Sequence, residues 1–107
     1  MIKLIALLKR KPDISREDFN QRWLNEHTKL SSRLPGLLEY RINIASLKQP
    51  DDTEPFYDGT AELWWENIEA MEASFATDIG KAAGADADEF CEIRQHIYTE
   101  ENFVVRK

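Results

Sequence analysis

The stretch "IKLIALLKRKPDISREDFNQRWLNEHTKL", residues 2–30, changes its hydrophobic period part-way along, and that change decides the architecture. Its first nine residues are apolar at nearly every position. Ile2, Leu4, Ala6 and Leu8 share one side of an extended chain, with Ile5 and Leu7 on the other between Lys3 and Lys9. A strand that is apolar on both sides has both faces covered. Pro12 and Asp13 end the run. Ser15, followed three residues later by Asp18, forms a variant of the capping box and opens a helix.

That helix is expected from about Arg16 to Leu34, where Pro35-Gly36 stops it. At 100° per residue, Phe19, Trp23, His27, Leu30 and Leu34 fall within an arc of roughly 80°. His27 is therefore a titratable ring set in an apolar stripe. Glu26 lies beside the stripe, one turn after Arg22, with which it could pair.

Working outward, "LLEYRINIASL" alternates Tyr40, Ile42 and Ile44 against Glu39, Arg41 and Asn43, a strand pattern. "KQPDDTEPFYD", residues 48–58, has two prolines and four acids and reads as a long exposed connection. "GTAELWW" is a third strand, with Ala61, Leu63 and Trp65 against Thr60, Glu62 and Trp64. "ENIEAMEASFA" then repeats Ile68, Met71 and Phe75 at helical spacing. "DIGKAAGADADEFCEI" continues helically, with two short pieces or a kink expected at Gly80 and Gly84. "HIYTEENFVV" supplies a last strand, bent near Asn102.

The order β-α-β-β-α-β, joined by right-handed crossovers, gives the α+β, ferredoxin-like arrangement: a four-stranded antiparallel sheet with the helices on one face. Residues 1–107 make one domain of ordinary size. Helices can cover only one face, so the apolar residues on the other side call for a second copy of the sheet, a homodimer through sheet faces.

Composition narrows the function. The formal net charge of −6 argues against nucleic acid or an anionic membrane surface as a partner. The N-terminal apolar run is too short for a membrane span and lacks a signal-peptide cleavage site, which makes cytoplasmic location the default. Cys91 is the single cysteine, so no intrachain disulfide forms. His27 and His96 are far apart in sequence and "DADE" lacks the spacing of a calcium loop, so no metal site is expected. There is no phosphate-binding or dinucleotide fingerprint, and no motif surrounds Ser31, Ser32, Ser46 or Ser74 to suggest a nucleophile.

Four segments together resemble the EthD family of small dimeric α+β-barrel proteins: "LLKRKPDISREDFNQRWLNEHTKL", "LPGLLEYRI", "DGTAELWWENIEAMEASFAT" and "IYTEENFVV". The Phe-x3-Trp-x3-His helix is the most specific of these elements. The resemblance implies a ferredoxin-like protomer, a homodimer whose sheets pack as a barrel, and a pocket for a small hydrophobic or aromatic metabolite between sheet and helices. It also implies that no metal or organic cofactor takes part. Related members include muconolactone-type isomerases and polyketide-tailoring dehydratases or decarboxylases. In the isomerase-like members a histidine of the first helix and a tyrosine of the second strand face the substrate; the matching positions here are His27 and Tyr40.

Each candidate residue has two readings. His27 is either a core histidine satisfied by backbone or water, or a general base held neutral by an apolar pocket. Tyr40 is either a core aromatic or a phenol that donates to a substrate oxygen gaining charge. Trp23, Trp64, Trp65 and Phe75 fill the core or shape a flat cavity, and adjacent tryptophans on a strand point to opposite faces. Glu62 and Glu26 are solvated charges or partners of His27 or of the substrate. His96 is placed exposed at a strand end, and Cys91 is a small buried apolar residue. The chemistry these residues suit is cofactor-free proton transfer, isomerase- or lyase-like, on an aromatic, lactone or polyketide-like molecule. The alternative is a non-catalytic metabolite-binding dimer, or an accessory subunit of an oxidoreductase that degrades ethers or aromatics.

Overall fold

The computed structural model describes residues 1–107. Strand β1 is Ile2–Arg10, followed by α1 (Arg16–Gln21), a π-helical segment (Arg22–His27) and α2 (Thr28–Ser31). Strands β2 (Glu39–Ile44) and β3 (Gly59–Trp65) come next, then α3 (Ile68–Ala76), α4 (Asp78–Phe90) and β4 (Cys91–Thr99). The strands form one antiparallel sheet in the order β2-β3-β1-β4, the ferredoxin-like topology, with β1 and β3 central.

The period-two pattern of β1 places its residues as expected. Ile2, Leu4, Ala6 and Leu8 are buried beneath the helices beside Ala61, Leu63 and Trp65 of β3. The first helix also starts where its cap predicts, with the Ser15 hydroxyl accepting from the Asp18 backbone N–H at 3.1 Å.

The course of that helix differs from the expectation of a regular α-helix to Leu34. Buried residues recur every four positions, at Phe19, Trp23, His27 and Ser31, while Leu30 is only half-buried. A regular α-helix turns a four-residue spacing steadily away from one face. The i→i+5 bonds of a π-helical segment make each turn wider, so rotation per residue falls below 100° and the four residues stay aligned. The helix ends at Ser31, and Gly36, with φ of +75°, turns the chain toward β2.

Three further expectations need correction. Gly80 and Gly84 do not interrupt α4, which runs unbroken from Asp78 to Phe90. The break falls at Thr77, whose hydroxyl caps α4 by accepting from the Gly80 N–H at 3.2 Å. A side chain at Gly80 would meet the Ser74 carbonyl oxygen at 2.5 Å, so the α3–α4 corner is closed by glycine. The last strand begins at Cys91, earlier than expected, and stops at Thr99. Phe103, Val104 and Val105 are exposed and outside the sheet.

The exposed connection 48–58 is anchored at its end. The buried Asp58 carboxylate accepts from the Arg10 backbone N–H at 2.8 Å and from Arg10 Nε at 3.2 Å. No helix is long and apolar enough to cross a membrane.

Gly59 and Gly84 test this packing in opposite directions. A Cβ at Gly59 would lie 2.5 Å from the Asn43 carbonyl oxygen and 2.7 Å from Cζ3 of Trp23. Gly59→Ala is expected to cost about 1–3 kcal/mol in urea unfolding. At Gly84 the nearest neighbour is Arg94 Nη2 at 3.9 Å, so Gly84→Ala should be neutral or stabilise by up to about 1 kcal/mol.

Candidate active site

The aligned stripe of the first helix, the sheet and α4 enclose a cavity. It is lined by residues that include Trp23, His27, Ser31, Tyr40, Phe75, Arg94 and His96, over a floor of Leu4, Ala6 and Leu8. About 70 Å³ is open to the centres of water-sized molecules, room for roughly five waters. The space exists because α4 turns small residues, Ala83, Gly84 and Ala87, toward the sheet.

His27 is 8% exposed and its ring meets Phe90 edge-on at 5.5 Å. Its Nδ1 lies 2.9 Å from Oδ2 of Asp86 on α4. Arg22 grips the same carboxylate with both Nη atoms, at 3.0 and 2.6 Å, and reaches Glu89 at 3.1 Å. The Arg22 guanidinium, with His27 adding to it, holds the Asp86 carboxyl below its usual range, so Asp86 is ionised and only accepts. Nδ1 of His27 therefore donates, and Nε2, which has no hydrogen-bond partner in the protein, carries the lone pair.

Burial lowers the His27 pKa below 6.5; Asp86 pulls it upward, and the positive charges of Arg22 and Arg94 push it down again. The imidazole is neutral at pH 7. It is a base with one nitrogen fixed and the other free.

One helical turn beyond His27, Oγ of Ser31 lies 2.9 Å from the Tyr40 hydroxyl. Burial raises the Tyr40 pKa, the contacts with Ser31 and Trp23 opposing it, so the phenol keeps its proton and can donate. Trp23 is fully buried, and its Nε1–H faces the Tyr40 hydroxyl without completing a hydrogen bond. Its benzo edge abuts the Gly59 backbone.

The candidate residues thus divide. His27, Tyr40, Trp23 and Phe75 come together around the cavity. Trp64 and Glu62 do not: β3 alternates, so both project from the far face of the sheet. Glu62 there pairs with Lys3 at 2.6 Å, while Lys3 and Arg41 lie over the Trp64 ring at 4.8 and 5.4 Å. Trp65 takes the inner face, donating to the Pro35 carbonyl at 3.0 Å and packing on Phe75.

Glu26 points outward, 3.6 Å from Lys29, and Arg22 pairs with Asp86 rather than with Glu26. His96 is exposed, as expected, but it is not at a strand end. It sits within β4 opposite Ala6 and lines the open side of the cavity, where burial of its inner edge and the charge of Arg94 lower its pKa. Burial pushes the Cys91 thiol up to about 12, which makes it inert.

Sequence reasoning missed Asp86, Ser31 and Arg94. Ser31 had a signal in the four-residue spacing that continues from Phe19 through His27. Asp86 and Arg94 had none, because nothing local marks a partner 59 residues away.

Residues 11–94 match the model of the EthD domain. The chain belongs to the EthD family. A crystallised EthD family protein of Bacillus halodurans is 28% identical and superposes with a TM-score of 0.82 over 95% of this chain and 99% of that one. A dimeric ferredoxin-like protein of unknown function from Thermobifida fusca is 17% identical, with a TM-score of 0.73 over 92% of this chain and 88% of its own. SnoaB, a cofactor-independent oxygenase from Streptomyces nogalater, is 9% identical, with a TM-score of 0.68 over 99% of this chain and 97% of that one. No curated protein matches the chain.

Asp86→Asn removes the charge that raises the His27 pKa and leaves Arg22 to lower it further. A histidine NMR titration should show His27 moving further down. Loss of the charge-assisted bonds should cost about 1–3 kcal/mol of stability. An unmoved or rising His27 pKa would contradict the pairing.

Proposed function

We propose that this EthD family protein is a cofactor-independent enzyme that moves a proton on a small, apolar, carbonyl-containing molecule, in an isomerase- or lyase-like reaction. The observation that carries this reading is the His27–Asp86 pair, with Nδ1 held and Nε2 unpartnered on a cavity wall. In this reading His27 Nε2 takes a proton from carbon adjacent to a carbonyl. The oxygen that gains negative charge is met by the Tyr40 hydroxyl and by the unsatisfied Trp23 Nε1–H. His27 then returns the proton at another atom, with Asp86 stabilising the imidazolium in the interval. Mostly apolar walls suit an aromatic, lactone or polyketide-like body. SnoaB, which shares the fold, is a cofactor-independent oxygenase, and this supports chemistry without a cofactor in such an architecture.

We also propose a homodimer through the sheet faces, as the dimeric Thermobifida fusca relative suggests. The far face offers less apolar surface than the sequence implies, because Lys3, Arg41 and the C-terminal segment already cover Trp64. What remains for a partner is Ile97, 47% exposed and paired with Ile5, together with Phe103, Val104 and Val105. Sedimentation should give about twice the 12.5 kDa chain mass, and Ile97→Lys should shift it toward the monomer. A wild-type monomer would remove the dimer.

The catalytic reading is tested with lactones and enolisable ketones, by following turnover and deuterium uptake at the acidic carbon. His27→Ala should lower the rate by about 10²–10⁴, and Tyr40→Phe by about 10². A folded His27→Ala protein of unchanged rate would remove the base. Saturable binding without exchange or product would instead mark a metabolite-binding protein.

The pH dependence has a defined sign. The reactive form is neutral His27, so kcat/KM should be flat above pH 6.5 and fall as pH drops through the lowered pKa. Stability follows the same direction. Below pH 6.5 the unfolded chain binds a proton that the folded one does not, so this contribution is complete above pH 6.5 and is lost toward acid. His27→Gln should flatten both responses.

A further inference from the structure

The cavity wall carries a positive charge whose one ion-pair partner, Asp88, is exposed. None of its lining residues is an aspartate or glutamate, and Arg94 brings a full positive charge to its wall. Two of the residues that line it carry N–H donors buried without an acceptor, Nε of Arg94 and Nε1 of Trp23. The remaining bonds of Arg94 run to α4: Nη2 donates to the Gly84 carbonyl at 3.4 Å and to the exposed Asp88 at 3.0 Å. Asp86, the carboxylate behind His27, is already held by Arg22. A buried N–H without an acceptor costs free energy that a ligand oxygen would recover.

We infer that Arg94 forms an anion subsite of the cavity, and that the ligand is a small apolar molecule bearing a negatively charged oxygen, a carboxylate or a stabilised enolate. This rests on the reading of the cavity as the ligand site and names its substrate class. Arg94 and Tyr40 stand on opposite edge strands, β4 and β2, with β1 and β3 between them. The anionic group at Arg94 is thus distinct from the carbonyl that meets Tyr40 and Trp23, and Arg94 sets which end of the ligand enters first. A guanidinium facing a carboxylate forms charge-assisted bonds, about twice as strong as neutral ones.

The test compares benzoate with its neutral isostere benzamide, by calorimetry and by proton–nitrogen NMR on the whole protein. Wild type should bind benzoate roughly 10–100-fold more tightly than benzamide. The Arg94 Nε–H resonance should move on benzoate addition and not with benzamide. Arg94→Gln, which keeps a neutral donor, should bind the two alike. The NMR readout in wild type keeps the inference testable even if that variant fails to fold. Equal affinity for the two probes, absence of saturable benzoate binding, or an Arg94 resonance that does not respond would overturn the subsite.

His27→Gln separates this inference from the catalytic one. It should abolish proton transfer yet retain the preference for benzoate. Loss of turnover without any anion preference would sink the subsite alone, whereas anion preference with turnover intact would sink the base alone.

Discussion

The Asp86 carboxylate is the point on which the arrangement turns. It joins the π-helical segment to α4 by accepting from Arg22 twice and from His27 once. Elsewhere α4 faces the sheet with alanine and glycine, which are too small to fill the gap beneath them. A helix with so short an inner face would ordinarily settle closer to the sheet, because voids forfeit contact energy. The ionic bridge, together with Phe90 packed under His27 and Phe19, fixes the helix where it stands. The hollow is thus a consequence of pairing one charged anchor with a line of small residues.

The same carboxylate fixes the chemistry of the ring. An imidazole moved from water into an apolar wall becomes neutral, but it could still exist as either tautomer. An ionised aspartate can only accept, so it selects the tautomer with the proton on Nδ1. Arg22 keeps that aspartate ionised and also opposes protonation of His27. Three residues therefore set both the charge and the direction of one lone pair. Around it lie side chains able to donate: Tyr40, Trp23 and Arg94. Those polar groups separate this cavity from an ordinary packing defect, which would be lined by apolar atoms alone.

Much of this was legible in the chain. The alternation in β1 and β3 assigned Ala61, Leu63 and Trp65 to one face, and the Ser15 cap located the start of the first helix. His27 stood out as a titratable group in an apolar stripe, and it does line the cavity. The tryptophan pair was legible only as an alternation. Which member faced inward depended on the register of β3 against β1, and that puts Trp65 opposite Ile2 and Trp64 opposite Lys3. The strand start at Cys91 was hidden because "DADEFCEI" has no glycine or proline to mark where helix gives way to strand.

Local pattern determined the order of elements, the inward faces of the strands and the candidacy of His27 and Tyr40. It could do so because side-chain direction along a strand or helix repeats with a fixed period. Tertiary structure decided the rest: the partnership of His27 with Asp86, the entry of Arg94 and His96 into the cavity wall, and the exclusion of Trp64 and Glu62 from it. The π-helical segment belongs to this second group, for it brings Ser31 rather than Leu30 beside Tyr40. Contacts between residues far apart in sequence carry no local signature, since they arise only when separate elements pack and a buried charge finds the one neighbour able to balance it.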